Sequence, residues 1–79
     1  MKVQVKLLAT LRKKLPPEAR GSTVLELDPG ATVAAVLSRL GIADNQVHGV
    51  MVNDAVEMDR QRALADGDSI VLMPPVAGG

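Results

Sequence analysis

The sequence has no cysteine, phenylalanine, tyrosine or tryptophan, and only one histidine. Without cysteine there is no disulfide framework, no thiolate metal cage and no thiol nucleophile. Without aromatic rings there is no platform for stacking bases and no cage for a cation. A single histidine excludes a two-histidine metal site, and no metal site is expected. A charge excess of either sign is also missing: nine Lys and Arg balance nine Asp and Glu, for a formal net charge of zero. This argues against a polycationic nucleic-acid binder and against a polyacidic tail. No charge-free apolar run approaches the ~20 residues needed to span a bilayer. The opening Met1-Lys2-Val3-Gln4 is broken by charge where a signal peptide needs an apolar stretch. The expectation is a cytoplasmic protein with neither membrane nor nucleic acid as partner, and not an enzyme by itself.

What is present is a 47% apolar fraction over 79 residues. That is enough for one folded domain, residues 1–79, and too little for two. A chain this short buries only about 60% of its unfolded surface. Val, Leu, Ile, Met and Ala must supply the whole core, and a stability of roughly 4–12 kcal/mol is expected.

Period-two alternation marks a strand over Lys2–Ala9, with Val3, Val5, Leu7 and Ala9 on one face. Leu8 breaks the pattern as an apolar residue on the polar face. Thr10–Leu15, with Arg12, Lys13 and Lys14, reads as a short helical turn or irregular link, stopped by Pro16-Pro17. Ser22–Asp28 reads as a second strand, ended by the turn chemistry of Asp28-Pro29-Gly30. Val33, Val36, Leu37 and Leu40 follow helical spacing, with Thr32 as N-cap and Gly41 past the end. Arg39 in the last turn complements the helix dipole.

Val47–Asn53 reads as a third strand, followed by an Asn53-Asp54 turn whose residues tolerate positive φ. Val56–Met58 reads as a short returning strand. Asp66-Gly67-Asp68 is a further turn, and Ser69–Met73 a last strand rich in β-formers. Pro74-Pro75 forbids continuation of that ladder, and residues 74–79 are expected to form a flexible tail. A single amphipathic helix covers one face of one sheet, which makes a two-layer α+β domain, most economically a β-grasp.

The side chains offer little chemistry. Asp54, Glu57, Asp59, Asp66 and Asp68 are the only acidic concentration, and their turn contexts make them turn formers before metal ligands. Six Lys and Arg crowd the positions up to Arg20 against the single Glu18, a polarity that can orient a docking partner. No Ser or Thr belongs to a nucleophile motif with His48. His48 shares the parity of Val50 and Val52 and is expected as a half-buried structural residue.

The last residues differ. Gly is about 7% of ordinary sequence, so Gly78-Gly79 is a roughly half-per-cent coincidence. Pro74-Pro75 favours an extended polyproline-like exit at about 3.1 Å per residue, which projects the final carboxylate on the order of 15–20 Å. Gly78 and Gly79 lack Cβ and fit a channel too narrow for other residues. The group such a tip offers is the Gly79 α-carboxylate. ATP in a partner enzyme can turn it into an acyl-adenylate, and a sulfur nucleophile can displace AMP to leave a thiocarboxylate.

Met73-Pro74-Pro75-Val76-Ala77-Gly78-Gly79 resembles the Phe-Pro-Pro-Val-x-Gly-Gly ending of the ThiS/MoaD group of ubiquitin-like sulfur carriers. Val5-Lys6-Leu7-Leu8-Ala9-Thr10-Leu11-Arg12 resembles the group's Val-Lys-Leu-Phe-Ala-x-Leu-Arg strand and turn. Val52-Asn53 and Leu64-Ala65-Asp66-Gly67-Asp68 resemble its internal signatures. The resemblance covers nearly the whole chain and is strongest to small subunits of molybdopterin synthase. It implies a mixed β-grasp sheet on one main helix, with the last strand beside the first. It also implies Gly79, with Gly78, as the site of adenylation and thiocarboxylation by a ubiquitin-activating-type adenylyltransferase. It implies no bound cofactor, with ATP used by that partner. The implied recipient is the large subunit of molybdopterin synthase, where sulfur builds the dithiolene of molybdopterin.

Leu8 and Met73 stand where the group usually has Phe. Their parity puts both on the sheet face away from the core, where with Val56 they either form a docking patch or pack under the tail. Arg12 either pairs with a partner carboxylate or is an ordinary surface residue. Pro74, Pro75, Val76 and Ala77 complete the expected partner-binding set. Sulfur carriage to thiazole or another pathway, conjugation to lysines, and a non-covalent β-grasp adaptor are the alternatives.

Overall fold

Strict alternation builds the first strand of the computed structural model, which describes residues 1–75. In β1 (Lys2–Leu7), Val3, Val5 and Leu7 are each 1% exposed while Lys2, Gln4 and Lys6 face outward. β2 (Ser22–Glu26) pairs antiparallel with it, Val5 opposite Thr23. After α1 (Val33–Leu40) come β3 (Gly49–Val52), the two-residue β4 (Ala55–Val56) and β5 (Ser69–Met73). The sheet order is β2-β1-β5-β3-β4, with β5 parallel to β1 and antiparallel to β3. The last strand therefore lies in the centre, between the first and the third. This is the mixed β-grasp sheet on one helix that the sequence led us to expect.

Helix α1 begins and ends where its cap residues dictate. The Thr32 hydroxyl accepts from the Ala35 N–H at 3.3 Å, and Gly41 closes the helix at φ +70°. Two further helix-start N–H groups are satisfied from outside: Val33 donates to the Arg62 carbonyl and Ala34 to that of Arg60. These helix-start donors are thus already satisfied by the 59–64 loop. Val33, Val36 and Leu37 point from the helix into the sheet, joined from the loops by Leu11, Ile42, Val47 and Leu64. Among the described residues no buried polar side-chain atom lacks a hydrogen-bond partner.

Most differences from expectation lie at element ends. β1 stops at Leu7, because Ala9 takes φ +51° and opens a 3-10 turn over Ala9–Lys14. β2 stops at Glu26, and Leu27 turns into the core at 8% exposure. β3 begins at Gly49, three residues after the 3-10 turn Asp44–Gln46, where pairing with Met73 starts. Asn53 and Asp54, at φ +51° and +69°, make the tight β3–β4 turn, and pairing begins at Ala55. His48 is the correction of consequence. It precedes the ladder, so strand parity does not govern it, and it is exposed. Val76, Ala77, Gly78 and Gly79 lie outside the described residues, and with them most of the expected tail.

Gly21 is the glycine the fold cannot replace. It sits at φ +78°, and a Cβ there would lie 2.8 Å from the Leu7 carbonyl oxygen, a backbone atom unable to give way. Gly30, at φ +85°, has nothing within 4 Å of the same position. Alanine at either site carries the left-handed backbone cost of about 1–2 kcal/mol, but only Gly21→Ala adds a collision. Urea unfolding should therefore show a clearly lower midpoint for Gly21→Ala than for Gly30→Ala. Equal midpoints would contradict the packing described.

Candidate functional site

The end of β5 is held from both sides. The Leu8 N–H donates to the Leu72 carbonyl at 3.1 Å, and the His48 N–H to the Met73 carbonyl at 2.8 Å. Pro74 has no N–H to carry the ladder on. The chain thus leaves the sheet at a defined point, with Pro74 half-buried and Pro75 exposed.

α1 covers one face of the sheet, and among the described residues no layer covers the opposite face. On that open face register places Lys6, Val71, Met51 and Val56 in one row across four strands. Toward the tail, Met73 is paired with Gly49. A Cβ on Gly49 would lie 2.8 Å from the Met73 methyl, so the Met73 side chain occupies the space that glycine leaves. Leu8, extended and half-buried, follows β1 at the same end. A groove of about 470 Å³ runs from Met73 and Gly49 to Val56 and Met58. Val56 is 70% and Met58 86% exposed. A second groove, about 400 Å³, lies on the same face toward β2, among Gln4, Lys6, Ser22, Val24, Ser69 and Val71.

Of the residues singled out from sequence, Leu8, Met73 and Pro74 gather at the exit of β5, and Val56 shares the groove with Met73. Arg12 is exposed in the 3-10 turn after β1, its Cγ and Nε each 3.1 Å from where a Gly21 Cβ would sit. It lies over Gly21 and makes no ion pair among the described residues. Val76, Ala77, Gly78 and Gly79 are not among those described. Two residues escaped the sequence reading, Met51 on the open face and Met58 in the groove beside it. The parity of Met51 with Val71 across the β3–β5 pair was the missing signal, legible only once the strand order is known.

The acidic residues work in turns. Asp66 accepts from the Lys2 N–H at 2.7 Å, and Asp59 from the Gln61 N–H at 2.8 Å. Glu57 pairs with Arg62 at 3.0 Å. Asp68 accepts from the Ala65 N–H at 2.8 Å and from the Asn53 side-chain amide at 2.9 Å, while Asn53 accepts from the Ser69 N–H. This clamp ties the turn before β5 to the β3–β4 turn. The Ala65 N–H, then the Asn53 amide, with a smaller contribution from Arg62, hold the Asp68 carboxyl below its ordinary value of 3.8, against a smaller opposing effect of burial.

A five-stranded mixed sheet with a central parallel pair of terminal strands, packed on one helix, defines the β-grasp, ubiquitin-like class. Within it the chain belongs to the ThiS family, whose sequence model matches residues 5–79. Members of that family are small carrier subunits that act with partner proteins and are not enzymes alone. The fold is similar to the crystal structure of SAMP1 from Haloferax volcanii: TM-score 0.75, 25% identity, 100% of each chain covered. It is also similar to the solution structure of the HVO 2177 protein of the same organism, with TM-score 0.77, 29% identity, and 100% of this chain and 87% of that one covered. Subunits 1 and 2 of the molybdopterin-converting factor from Helicobacter pylori form a solved complex; the match there has TM-score 0.66 and 21% identity over 100% of both chains, a likeness of fold. No curated protein matches the chain. No helix among the described residues is long and apolar enough to cross a membrane.

The Asp68 clamp yields a pH prediction. A carboxyl whose folded pKa is depressed adds stability above its unfolded value and loses it as pH falls through the folded one. Thermal melts of the native sequence should weaken below about pH 4. Asp68→Ala should lower the melting temperature at pH 7 and flatten the acid dependence, and unchanged curves would remove the clamp from the account.

Proposed function

We propose that this protein is a sulfur carrier whose Gly79 carboxylate is the working group, and that it serves as the small subunit of a molybdopterin synthase. The observation that carries the reading is the family match, which runs through Gly78 and Gly79 beyond the exit of β5. The Gly79 carboxylate attacks the α-phosphorus of ATP in a ubiquitin-activating-type adenylyltransferase, and pyrophosphate leaves. A hydrosulfide ion then attacks the carbonyl carbon, the bond to AMP breaks, AMP leaves, and loss of the proton leaves a thiocarboxylate. The loaded end enters the large synthase subunit and gives its sulfur to a pterin precursor; water returns the carboxylate.

Nothing in this cycle asks for a nucleophile from the carrier's side chains, which suits a chain without cysteine. The demands on the fold are a tail of small residues and a surface to dock. The open face beside the tail, with Leu8, Val56, Met73 and the prolines, is the surface we assign to the large subunit and the activating enzyme. Arg12, exposed over Gly21, is assigned to a partner carboxylate. The H. pylori complex of two converting-factor subunits supports the choice of partner class.

A second reading is favoured by one observation. SAMP1, a small archaeal modifier protein by name, is similar at 25% identity over the whole of both chains. The same activated carboxylate would then join target lysines or feed another sulfur pathway.

Reconstitution separates the readings. With activating enzyme, ATP and a sulfur donor, the full chain should release pyrophosphate and, with a large subunit, form molybdopterin. The chain lacking Gly79 should fold equally well and do neither. Activity retained without Gly79 would sink carriage, and lysine-linked adducts without pterin product would favour the modifier reading.

A further inference from the structure

The four methionines hold all the sulfur in this chain, and they are divided by the fold. The Met1 side chain is 7% exposed, its amino group tied to the Leu27 carbonyl at 2.8 Å. Met51 and Met73 lie on the open face by register, and Met58, past β4, lines the groove with Met73 and Val56. Met58 is 86% exposed; Met51 and Met73 are half-buried, Met51 between Val71 and Val56, Met73 over Gly49.

We propose that Met51, Met58 and Met73 form a sulfoxidation site through which peroxide turns off the docking face. The inference rests on the carrier reading, which gives that face its partner. A thioether sulfur attacks one oxygen of the peroxide, the O–O bond breaks, and an S–O bond forms. The leaving hydroxide takes the proton and departs as water. Sulfur loses two electrons and peroxide gains them. A dithiol reductase reverses the step: the sulfoxide becomes thioether and water, and the dithiol becomes a disulfide.

Three features make this site selective. No cysteine competes for the oxidant, so the thioethers are the reactive sulfur of the chain. Exposure ranks them, Met58 ahead of Met51 and Met73, with Met1 protected. Met51 and Met73 sit on the face that α1 leaves uncovered and Met58 is exposed at the groove it shares with Met73, so a sulfoxide there reaches water without disturbing the core. The consequence falls on binding. A flexible apolar group becomes a dipole that an apolar partner surface must desolvate without return. Met73 matters most, since its methyl fills the space over Gly49 one residue before Pro74.

The test treats the full chain with hydrogen peroxide and maps sulfoxide by peptide mass spectrometry. Met58 should oxidise first, Met51 and Met73 next and Met1 last, with the circular dichroism unchanged. Loading by the activating enzyme should slow on the order of tenfold and recover after methionine sulfoxide reductase. In the Met51→Leu, Met58→Leu, Met73→Leu triple variant, the ratio of treated to untreated loading should stay at one. Met1 oxidising as fast as Met58, or an oxidised chain loading at the untreated rate, would overturn the proposal. If the untreated chain does not load, the carrier reading is what fails. Retention on a phenyl matrix then still decides this one: earlier elution of the folded sulfoxide form supports it, and equal retention overturns it.

Discussion

The placing of β5 between β1 and β3 is the constraint on which the rest depends. A strand hydrogen-bonded on both edges cannot shift register without breaking two ladders, and each one-residue slip would turn Ile70 and Leu72 out of the core. Both are at most 1% exposed. The point at which the chain leaves the sheet is therefore set by the core itself. Pro74 makes that exit abrupt, because the ladder loses its next donor. A small domain without staples thus fixes the point where β5 leaves the sheet with the same contacts that keep it folded.

The second consequence is the asymmetry of the sheet. One helix covers one face, and the alternation that buries Val3, Val5, Val50, Val52, Ile70 and Leu72 leaves Val71, Met51 and Met73 on the other. Surface that is apolar, uncovered and contiguous with the exit of β5 is what a carrier needs where its partners must recognise the body before they act on the tail. Gly49 contributes by absence: its missing side chain is the seat of the Met73 thioether. Lys6 closes the row on the β1 side, so the apolar strip has a basic border.

Local chemistry made much of this legible before any coordinates. Thr32 and Gly41 bounded the helix, the Asn53-Asp54 pair announced a tight turn, and Ser69–Met73 declared both its strand and its stop. Residues whose position depends on other strands were harder to read. His48 shares parity with Val50 only if the strand reaches it, and the regular pairing begins one residue later, at Gly49. Met51 joins the open face through pairings with β5 and β4, and Met58 lines the groove beyond β4, which no periodicity within their own segments records. The capping of α1 by the Arg60 and Arg62 carbonyls was hidden for the same reason, since it joins two segments far apart in the chain.

The central claim is that chemistry resides in the Gly79 carboxyl group and in no side chain. Intact-mass spectrometry of the protein purified from cells that make its activating enzyme tests it most directly. The account predicts a species heavier by one exchange of oxygen for sulfur, located by fragmentation at Gly79. A population carrying only unmodified carboxylate, with active adenylating enzyme, ATP and sulfur donor all present, would contradict it.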